Sequence, residues 1–319
     1  MRRHSISIDD LSRSVIAVPP LARNSDLTVN EAANRTLIRY LESGGVTTVL
    51  YGGNAVMYHI PLSEYRSTLE TLIGSVSEDT WLIPAAGPDY GRLIDQADIL
   101  RDLEFPTALV LPCSSQSTPA GAEAGIRAFA GRFGRPVILY LRSESYLGPN
   151  NIERLVGDGT VFAIKYAIVR PDPATDPFLE ELTERIDTAR IVSGIGERPV
   201  LAHWVEFELR SFTSGSVSLA PCLSSALLAA LSTGDLEGAE RLRSEFLPIE
   251  DLRDAFGPAR VLHDAVTFAQ IAEMGPMLPF MANLSEEEER RVGPAATELF
   301  NRQQRHMETR AHERHAECA

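Results

Sequence analysis

Short apolar runs, many of them rich in β-branched residues, recur along the first 220 positions of the chain, and their starts lie 25 to 35 residues apart. Stretches with the helical spacing of apolar residues separate these runs. Near-continuous apolar strands that alternate with helices are typical of a parallel sheet covered on both faces. The eight predicted strands are 15–19, 46–51, 81–85, 107–112, 136–140, 161–167, 190–194 and 216–220.

Eight strand–helix units fit a closed (β/α)8 TIM barrel, a fold of about 250 residues. A doubly wound open sheet is the alternative, and it commonly carries a Gly-x-Gly-x-x-Gly phosphate loop after an early strand. Residues 51–55 read Tyr-Gly-Gly-Asn-Ala and lack that spacing. The pattern therefore favours the α/β class with a TIM barrel.

From about residue 236 onward the pattern is helical only, with predicted helices near 235–246, 258–275 and 285–317. The last of these begins with Ser285 and Glu288, which have the spacing of a capping box. We predict a (β/α)8 barrel domain over residues 1–236 and a helical C-terminal region over residues 237–319.

The net charge and the cysteine content limit the classes of partner and the cellular compartment that the sequence predicts. The 319 residues include 30 Lys and Arg against 44 Asp and Glu, a net charge of -14, which argues against nucleic-acid and anionic-membrane partners. No apolar stretch approaches the roughly 18 residues of a membrane span, and none of signal-peptide length follows the first residues. Cys113, Cys222 and Cys318 are far apart, so we predict no disulfide framework, no structural zinc and a cytoplasmic location.

Twenty-nine of the 30 basic residues are arginine, and the only lysine in the chain is Lys165. Strand alternation places Lys165 on one face with Ala163 and Ala167, which leave room around its amine. Burial lowers the pKa of a lysine, and the neutral amine attacks carbonyl carbons, which the permanently protonated guanidinium of arginine does not. Lys165 is therefore the candidate Schiff-base nucleophile. A lysine at a strand end whose amine reaches solvent is the alternative.

Further candidates lie at the ends of two other predicted strands. Tyr140 ends the fifth strand, at the edge where barrel active sites are built, and a phenol there can move protons near an imine. Arg142 has the same parity and suits a substrate carboxylate, with a surface ion pair as the alternative. Gly52 and Gly53 free backbone N–H groups to approach an anion, and Asn54 adds side-chain donors, unless this loop is a plain tight turn.

Two weaker patterns have simpler explanations. His312, His315 and Cys318 are spaced three apart and could face one side of a helix, but we interpret them as part of a solvated tail. Glu197 and Arg198 follow the seventh predicted strand and could contact a polyhydroxy substrate, although a loop ion pair is the simpler interpretation. We predict no metal site.

The order of these residues resembles that of the dihydrodipicolinate synthase/N-acetylneuraminate lyase family. Members are class I aldolases and dehydratases with a TIM barrel, a C-terminal helical region and usually a homotetrameric assembly. The resemblance implies that Lys165 is the Schiff-base lysine and Tyr140 the catalytic tyrosine. It also implies that a pyruvate-like carboxylate meets Gly53 and Asn54 near the backbone of Val217. The matching segments, within residues 12–295, are 52–54, Glu64, 136–140, 163–165, 193–194, 215–218 and 284–288.

The departures from the family pattern concern substrate binding. The carboxylate loop, usually Gly-Thr-Thr/Ser-Gly-Glu, reads Gly-Gly-Asn-Ala-Val at residues 52–56. The second tyrosine of the synthases, which comes from a neighbouring subunit, falls on Ser114. The synthase arginine for the aldehyde carboxylate falls near Ser145, and Arg142 is the nearest substitute. These differences argue against dihydrodipicolinate synthesis itself.

The sequence thus predicts a class I lyase that binds pyruvate or a 2-oxo-3-deoxy acid as an imine on Lys165, without a cofactor. Carbon–carbon cleavage is the leading reaction, and dehydration of a 2-oxo-3-deoxy sugar acid is the second. A catalytically silent, ligand-binding barrel is the remaining alternative. The predicted partners are a small 2-oxo acid and identical subunits in a homotetramer or homodimer.

Overall fold

Eight short parallel strands form the centre of the molecule. The computed structural model describes residues 1–3, 6–114 and 116–317, with side chains as far as residue 309. The strands are β1 (Ile16–Ala17), β2 (Thr48–Tyr51), β3 (Trp81–Ala86), β4 (Leu109–Val110), β5 (Val137–Leu141), β6 (Val161–Tyr166), β7 (Ile191–Ser193) and β8 (Thr213–Ser214).

The sheet closes on itself. β1 pairs in parallel with both β2 and β8, so neither β1 nor β8 is left as an open edge at that side. A parallel bridge joins Ser193 of β7 to Phe212, and the Ser193 N–H donates to the Ser211 carbonyl at 3.0 Å. The predicted TIM barrel is therefore confirmed, and the open doubly wound sheet is excluded.

A helix follows each strand and covers the outside of the barrel. The strands are buried on both faces, which explains their near-continuous apolar sequences. No helix in the described ranges is long and apolar enough to cross a bilayer. The eight helices are α1 (Glu31–Ser43), α2 (Leu62–Ser75), α3 (Tyr90–Asp102), α4 (Pro119–Phe133), α5 (Pro149–Gly157), α6 (Pro177–Arg185), α7 (Val200–Glu206) and α8 (Pro221–Thr233).

The eighth strand lies earlier in the chain than predicted. β8 is Thr213–Ser214, whereas Ser216–Ser218 form a 3-10 helix, so the prediction of a strand over 216–220 was wrong. The alternating Ser-Val-Ser-Leu sequence resembles an amphipathic strand. A local hydrogen bond competes with that alternation, because the Val217 N–H donates to the Ser214 hydroxyl at 2.9 Å and closes a turn.

Four more helices follow the barrel: α9 (Leu236–Ser244), α10 (Leu247–Phe256), α11 (Pro258–Phe268) and α12 (Glu286–Glu317). The capping box at the start of α12 is confirmed, since the Ser285 N–H donates to Glu288 at 2.7 Å and the Glu288 N–H to the Ser285 hydroxyl at 3.4 Å. α10 was not predicted, and α11 ends at Phe268 rather than near residue 275. The chain leaves helical geometry at Gln270, where φ is positive.

A buried polar cluster fixes the direction in which the β6 side chains point. On the outer face, the Tyr166 hydroxyl donates to the Asp176 carboxylate at 2.6 Å. The same carboxylate accepts from Arg170 at 2.7 Å and caps α6 through the Leu179 N–H at 3.1 Å. Because successive side chains on a strand alternate, anchoring Tyr166 outside holds Lys165 inside the barrel.

The segment between α11 and α12 packs closely on the start of the chain through Gly275. This glycine has φ of 70°, and a Cβ placed on it would overlap the carbonyl oxygen of Arg23. Gly134, which ends α4, has φ of 75° but no atom within 4 Å of the corresponding Cβ position.

Gly275→Ala is therefore expected to lower the free energy of unfolding by about 3 kcal/mol or more, because positive φ and steric overlap add. Gly134→Ala, with the φ penalty alone, should cost about 1 kcal/mol. Chemical denaturation of both variants measures the difference. Equal losses in the free energy of unfolding would mean that the backbone at Arg23 moves to make room for the added methyl group.

Candidate active site

Lys165 and Tyr140 are cross-strand neighbours near the carboxyl ends of β6 and β5. Lys165 is only 5% exposed, and its Nζ donates to the Gly194 carbonyl at 2.7 Å. The same Nζ lies 4.0 Å from the centroid of the Tyr140 ring. The structure therefore places the predicted nucleophile and the predicted acid/base side by side, and the alternative of a lysine that reaches solvent does not hold.

The electrostatic environment favours a neutral amine. Burial lowers the pKa of Lys165, the guanidiniums of Arg142 and Arg253 lower it further, and Tyr140 opposes them only in part. Burial by itself raises the pKa of Tyr140, but Lys165, Arg142 and Arg253 outweigh it and hold the pKa below its ordinary value. The pair thus combines an amine that loses its proton easily with a phenol of increased acidity.

A cavity of about 300 Å³ opens above this pair. It lies at the carboxyl ends of the strands, which is where TIM barrels place their active sites. Backbone of the β7–α7 loop forms part of the wall, and α10 and α11 cover one side. Residues that line it include Gly53, Asn54, Tyr58, Tyr140, Arg142, Lys165, Ala167, Gly194, Gly196, Thr213, Gly215, Arg253, Asp254 and Met281.

Three of the six predicted substrate-binding residues line this cavity: Gly53, Asn54 and Arg142. One amide N–H of Asn54 is already used, since its Nδ2 donates to the Val18 carbonyl at 2.8 Å. Gly52 lies beneath the loop, where a Cβ would come within 3.0 Å of Leu50. The loop at residues 52–54 therefore forms part of the cavity wall and is not a turn remote from the cavity.

The other two residues that do not line the cavity are Val217 and Ser114. Val217 is fully buried, and its N–H donates to the Ser214 hydroxyl instead of facing the cavity. Gly215, two residues earlier, lies at the cavity wall. Ser114 is exposed and is not among the residues that line the cavity. Their contacts with a substrate stay predictions.

Tyr58 and Arg253 are among the cavity residues that the sequence did not predict. Tyr58 belongs to a 3-10 turn after the Gly52–Asn54 loop, and burial raises the pKa of its phenol to about 12. Arg253 comes from α10, the helix that was not predicted. The only available signal for Tyr58 was an aromatic residue four positions after Asn54. Nothing in the local sequence marks Arg253, which reaches the cavity through tertiary packing.

Glu197 and Arg198 do not form the ion pair considered from the sequence. Glu197 is fully buried and accepts from the Ser224 hydroxyl at 2.6 Å, while Arg198 pairs with Asp251. Burial and the neighbouring Glu250 raise the pKa of Glu197 to about 8. Glu197 has no exposed surface and is not among the residues that line the cavity.

No group of three His, Cys, Asp or Glu side chains that could hold a metal occurs among the described residues. The side chains of His312, His315 and Cys318 lie outside the described part of the chain. The titratable side chains that line the described cavity are those of Tyr58, His59, Tyr140, Arg142, Lys165, Arg253 and Asp254.

The pKa of Lys165 gives a prediction about pH. The rate at which formaldehyde and borohydride methylate this lysine should rise with a midpoint below pH 10.4, the ordinary pKa of the side chain. Arg142→Gln is expected to move the midpoint upward, because it removes a cation that disfavours the ammonium form. Arg190→Gln, whose parent side chain bonds to the Phe162 carbonyl away from the cavity, is the control. A midpoint at or above 10.4 in the unchanged protein would contradict the buried-amine description.

Comparisons with solved structures agree with the barrel architecture. Dihydrodipicolinate synthase from Bacillus clausii is 20% identical and superposes with a TM-score of 0.78 over 92% of this chain and 99% of its own. The enzyme from Agrobacterium tumefaciens gives 21% identity and a TM-score of 0.76 over 92% and 100%. The chloride-inhibited synthase from Acinetobacter baumannii, solved with pyruvate, gives 17% and 0.78 over 90% and 99%.

The sequence itself matches no protein-family model and no curated protein. The structural agreement spans nearly the whole length of each compared chain, including the helices that follow the barrel. The chain therefore has the complete fold of the dihydrodipicolinate synthases, a (β/α)8 barrel followed by a C-terminal helical extension.

Proposed function

We propose that this protein is a divergent member of the dihydrodipicolinate synthase/N-acetylneuraminate lyase family, a class I lyase that forms an imine between Lys165 and a 2-oxo acid. One observation carries the proposal: the only lysine in the chain is buried at the cavity floor, 4.0 Å from the Tyr140 ring. A buried amine costs stability, so its presence without a carboxylate partner favours a chemical role.

The geometry supports a short sequence of steps. The neutral Lys165 amine attacks C2 of the 2-oxo acid, Tyr140 donates a proton to the departing oxygen, and water leaves as the imine forms. Backbone N–H groups at Gly53 and Asn54 are available for the substrate carboxylate. The protonated imine then accepts the electron pair released when the bond between C3 and C4 breaks, and Tyr140 serves as the base for the C4 hydroxyl proton.

Cleavage of a 2-oxo-3-deoxy sugar acid is the reaction that we propose first, and loss of water from such an acid is second. The altered loop at residues 52–56 and Ser114 at the position of the second tyrosine argue against dihydrodipicolinate synthesis. A homotetramer or homodimer in the cytoplasm is part of the same proposal. Light scattering of the purified protein tests the assembly.

A specific observation favours a second candidate, a catalytically silent barrel. The Asn54 Nδ2 already donates one N–H to the Val18 carbonyl, which leaves fewer hydrogen-bond donors in the loop for a substrate carboxylate. In that case, pyruvate would raise the melting temperature without forming a covalent adduct. Turnover of a panel of 2-oxo acids above background would dismiss this candidate.

The deciding experiment is reductive trapping. The protein is incubated with pyruvate and sodium borohydride, and its mass is measured before and after digestion. We expect the intact mass to rise by one reduced pyruvate adduct and the adduct to map to the peptide that contains Lys165. Absence of the adduct at saturating pyruvate would overturn the proposal.

A further inference from the structure

The Gly194 carbonyl, which accepts the hydrogen bond from the Lys165 amine, lies at the start of a loop that other parts of the molecule hold in place. Residues 194–199 connect β7 to α7 and, within the described range 116–317, form neither a helix nor a strand. The Gly194 N–H donates to the Tyr166 carbonyl at 2.6 Å, which fixes the first residue of the loop to β6. The backbone groups further along need partners elsewhere, because buried N–H and C=O groups are seldom left unpaired.

Glu250 of α10 is the acceptor for two of these backbone groups. Its carboxylate accepts the N–H of Glu197 at 3.0 Å and the N–H of Arg198 at 2.7 Å. The Glu250 side chain is only 2% exposed, so water competes little for these bonds. Hydrogen bonds to an ionised acceptor are roughly twice as strong as those between neutral groups. One carboxylate therefore holds two successive residues of the loop.

Arg253, one turn further along α10, extends the contact with the loop. Its Nη1 donates to the Glu250 carboxylate at 2.7 Å, and its Nη2 donates to the Ile195 carbonyl at 3.2 Å. The Glu250–Arg253 ion pair therefore bonds to the backbone of three of the four residues that follow Gly194. Because removal of one partner leaves the other charge buried and uncompensated, the two side chains support the loop as a unit.

The ion pair also packs tightly on the loop at Gly196. This residue has φ of 107°, and a Cβ placed on it would overlap the Glu250 Oε1 and lie 2.8 Å from the Arg253 Nη1. A Cβ on Gly194 would lie 2.5 Å from the Tyr166 carbonyl oxygen. The two glycines thus allow the loop to approach β6 on one side and the ion pair on the other.

We propose that Glu250 is a positioning residue of the imine-forming site, which acts through the loop to hold the Gly194 carbonyl where this oxygen orients the Lys165 amine. The bond of 2.7 Å from Nζ to this oxygen restricts a side chain that has many rotamers, and attack on a carbonyl carbon requires an aligned amine. Glu250 itself is not among the residues that line the cavity. This inference rests on the proposed imine at Lys165.

The experiment compares two reactions of the same amine. Saturating pyruvate with borohydride traps the imine, whereas formaldehyde with borohydride methylates the lysine, and both rates are measured on the peptide that contains Lys165. Each reaction needs a neutral and accessible amine, but only pyruvate held in the cavity needs that amine aligned with its carbonyl carbon. The ratio of the two rates therefore reports alignment, because a change in the pKa of Lys165 or in the folded fraction alters both rates alike.

Two substitutions of Glu250 separate its geometry from its charge. Glu250→Asp keeps the charge but shortens the side chain by one methylene group, whereas Glu250→Gln keeps the length but replaces one acceptor oxygen by a donor. We expect the ratio of pyruvate trapping to methylation to fall about tenfold or more in both variants, since a misplacement of about 1 Å costs up to about 10²-fold. A role through charge alone would leave the ratio unchanged in Glu250→Asp.

Glu288→Gln is the matched control for the loss of a Glu–Arg ion pair. Glu288 accepts from Arg260 at 2.7 Å and from the Ser285 N–H at 2.7 Å, but it joins α11 to α12 and has no bond to the loop at 194–199 within the described part of the chain. We expect this variant to lose stability and to keep the ratio of the unchanged protein.

Gly196→Ala disturbs the same contact from the side of the loop and leaves Glu250 in place. We expect it to lower the ratio as the Glu250 variants do. Gly234→Ala is its control, because Gly234 has φ of 80° and no atom within 4 Å of the corresponding Cβ position. This second pair of variants tests the inference if the Glu250 variants do not fold.

The outcomes distinguish this inference from the proposed function. An unchanged ratio in Glu250→Asp or in Gly196→Ala would overturn the positioning role while the imine at Lys165 stands. An equal fall of the ratio in Glu288→Gln would assign the effect to general loss of stability and would overturn it as well. If the unchanged protein is methylated at Lys165 but forms no adduct with pyruvate, the proposed function fails, and this inference fails with it.

Discussion

Lys165→Arg is expected to abolish reductive trapping by pyruvate and to lower turnover of any 2-oxo acid substrate by at least about 10⁴-fold. The guanidinium keeps the positive charge but stays protonated, so it supplies no electron pair for attack on C2. The Gly194 carbonyl that accepts from Lys165 at 2.7 Å would still find a donor. Loss of activity in this variant therefore reports on the amine itself. The measurements are the intact mass after borohydride treatment and the initial rate.

Because Lys165 is the only lysine in the chain, a single lysine introduced elsewhere can serve as a control for the labelling. The double variant Lys165→Arg with Arg190→Lys restores one lysine at a site where the parent arginine donates to the Phe162 carbonyl, outside the cavity. We expect no trapped adduct on this introduced lysine, because its amine is not buried beside a phenol. Labelling of the introduced lysine in the double variant, or retained labelling of Lys165→Arg, would show that trapping does not depend on the cavity.

The periodic pattern predicted the barrel because the fold repeats one unit, an apolar strand followed by a helix. Seven of the eight predicted runs overlap observed strands, since each needs apolar side chains on both faces. The run over residues 216–220 failed because a hydrogen bond from the Val217 N–H to the Ser214 side chain overrides the alternation. α10 was missed since it follows α9 after only two residues, with Pro248 at its start, and the pattern gave no clear boundary there.

The residues of the candidate site also fall into two groups, those that the sequence pattern could predict and those that it could not. Lys165 and Tyr140 were predictable because consecutive strands of a barrel are neighbours and because parity sets the side that each side chain faces. Arg253 was not, since its place depends on how α10 packs over the β7–α7 loop through Glu250. The sequence pattern likewise gives no sign that the Val217 N–H donates to the Ser214 hydroxyl. The sequence predicts residues whose positions follow from the repeated strand geometry. It does not predict residues whose positions depend on packing between distant elements.

Tyr140→Phe is expected to lower turnover by roughly 10²- to 10⁴-fold, the usual contribution of one positioned acid/base group, while leaving the trapping of pyruvate detectable. The phenylalanine ring keeps the surface against which the Lys165 amine lies but removes the hydroxyl. Removal of the phenol also removes the group that raises the pKa of Lys165. The pH midpoint for imine formation should therefore fall in this variant, opposite in sign to the shift expected for Arg142→Gln.

Tyr58→Phe is the matched control for the loss of a cavity phenol. Tyr58 lines the same cavity, but its hydroxyl faces Arg142 rather than the amine of Lys165. Its removal is expected to lower turnover by less than about tenfold, the value of one neutral hydrogen bond, and to leave the pH midpoint near that of the unchanged protein. Steady-state rates and the pH dependence of trapping, measured on both variants, separate a catalytic phenol from one that only completes the wall. Equal losses in the two variants would mean that proton transfer is not confined to Tyr140, and the steps written for that residue would have to be divided between two phenols.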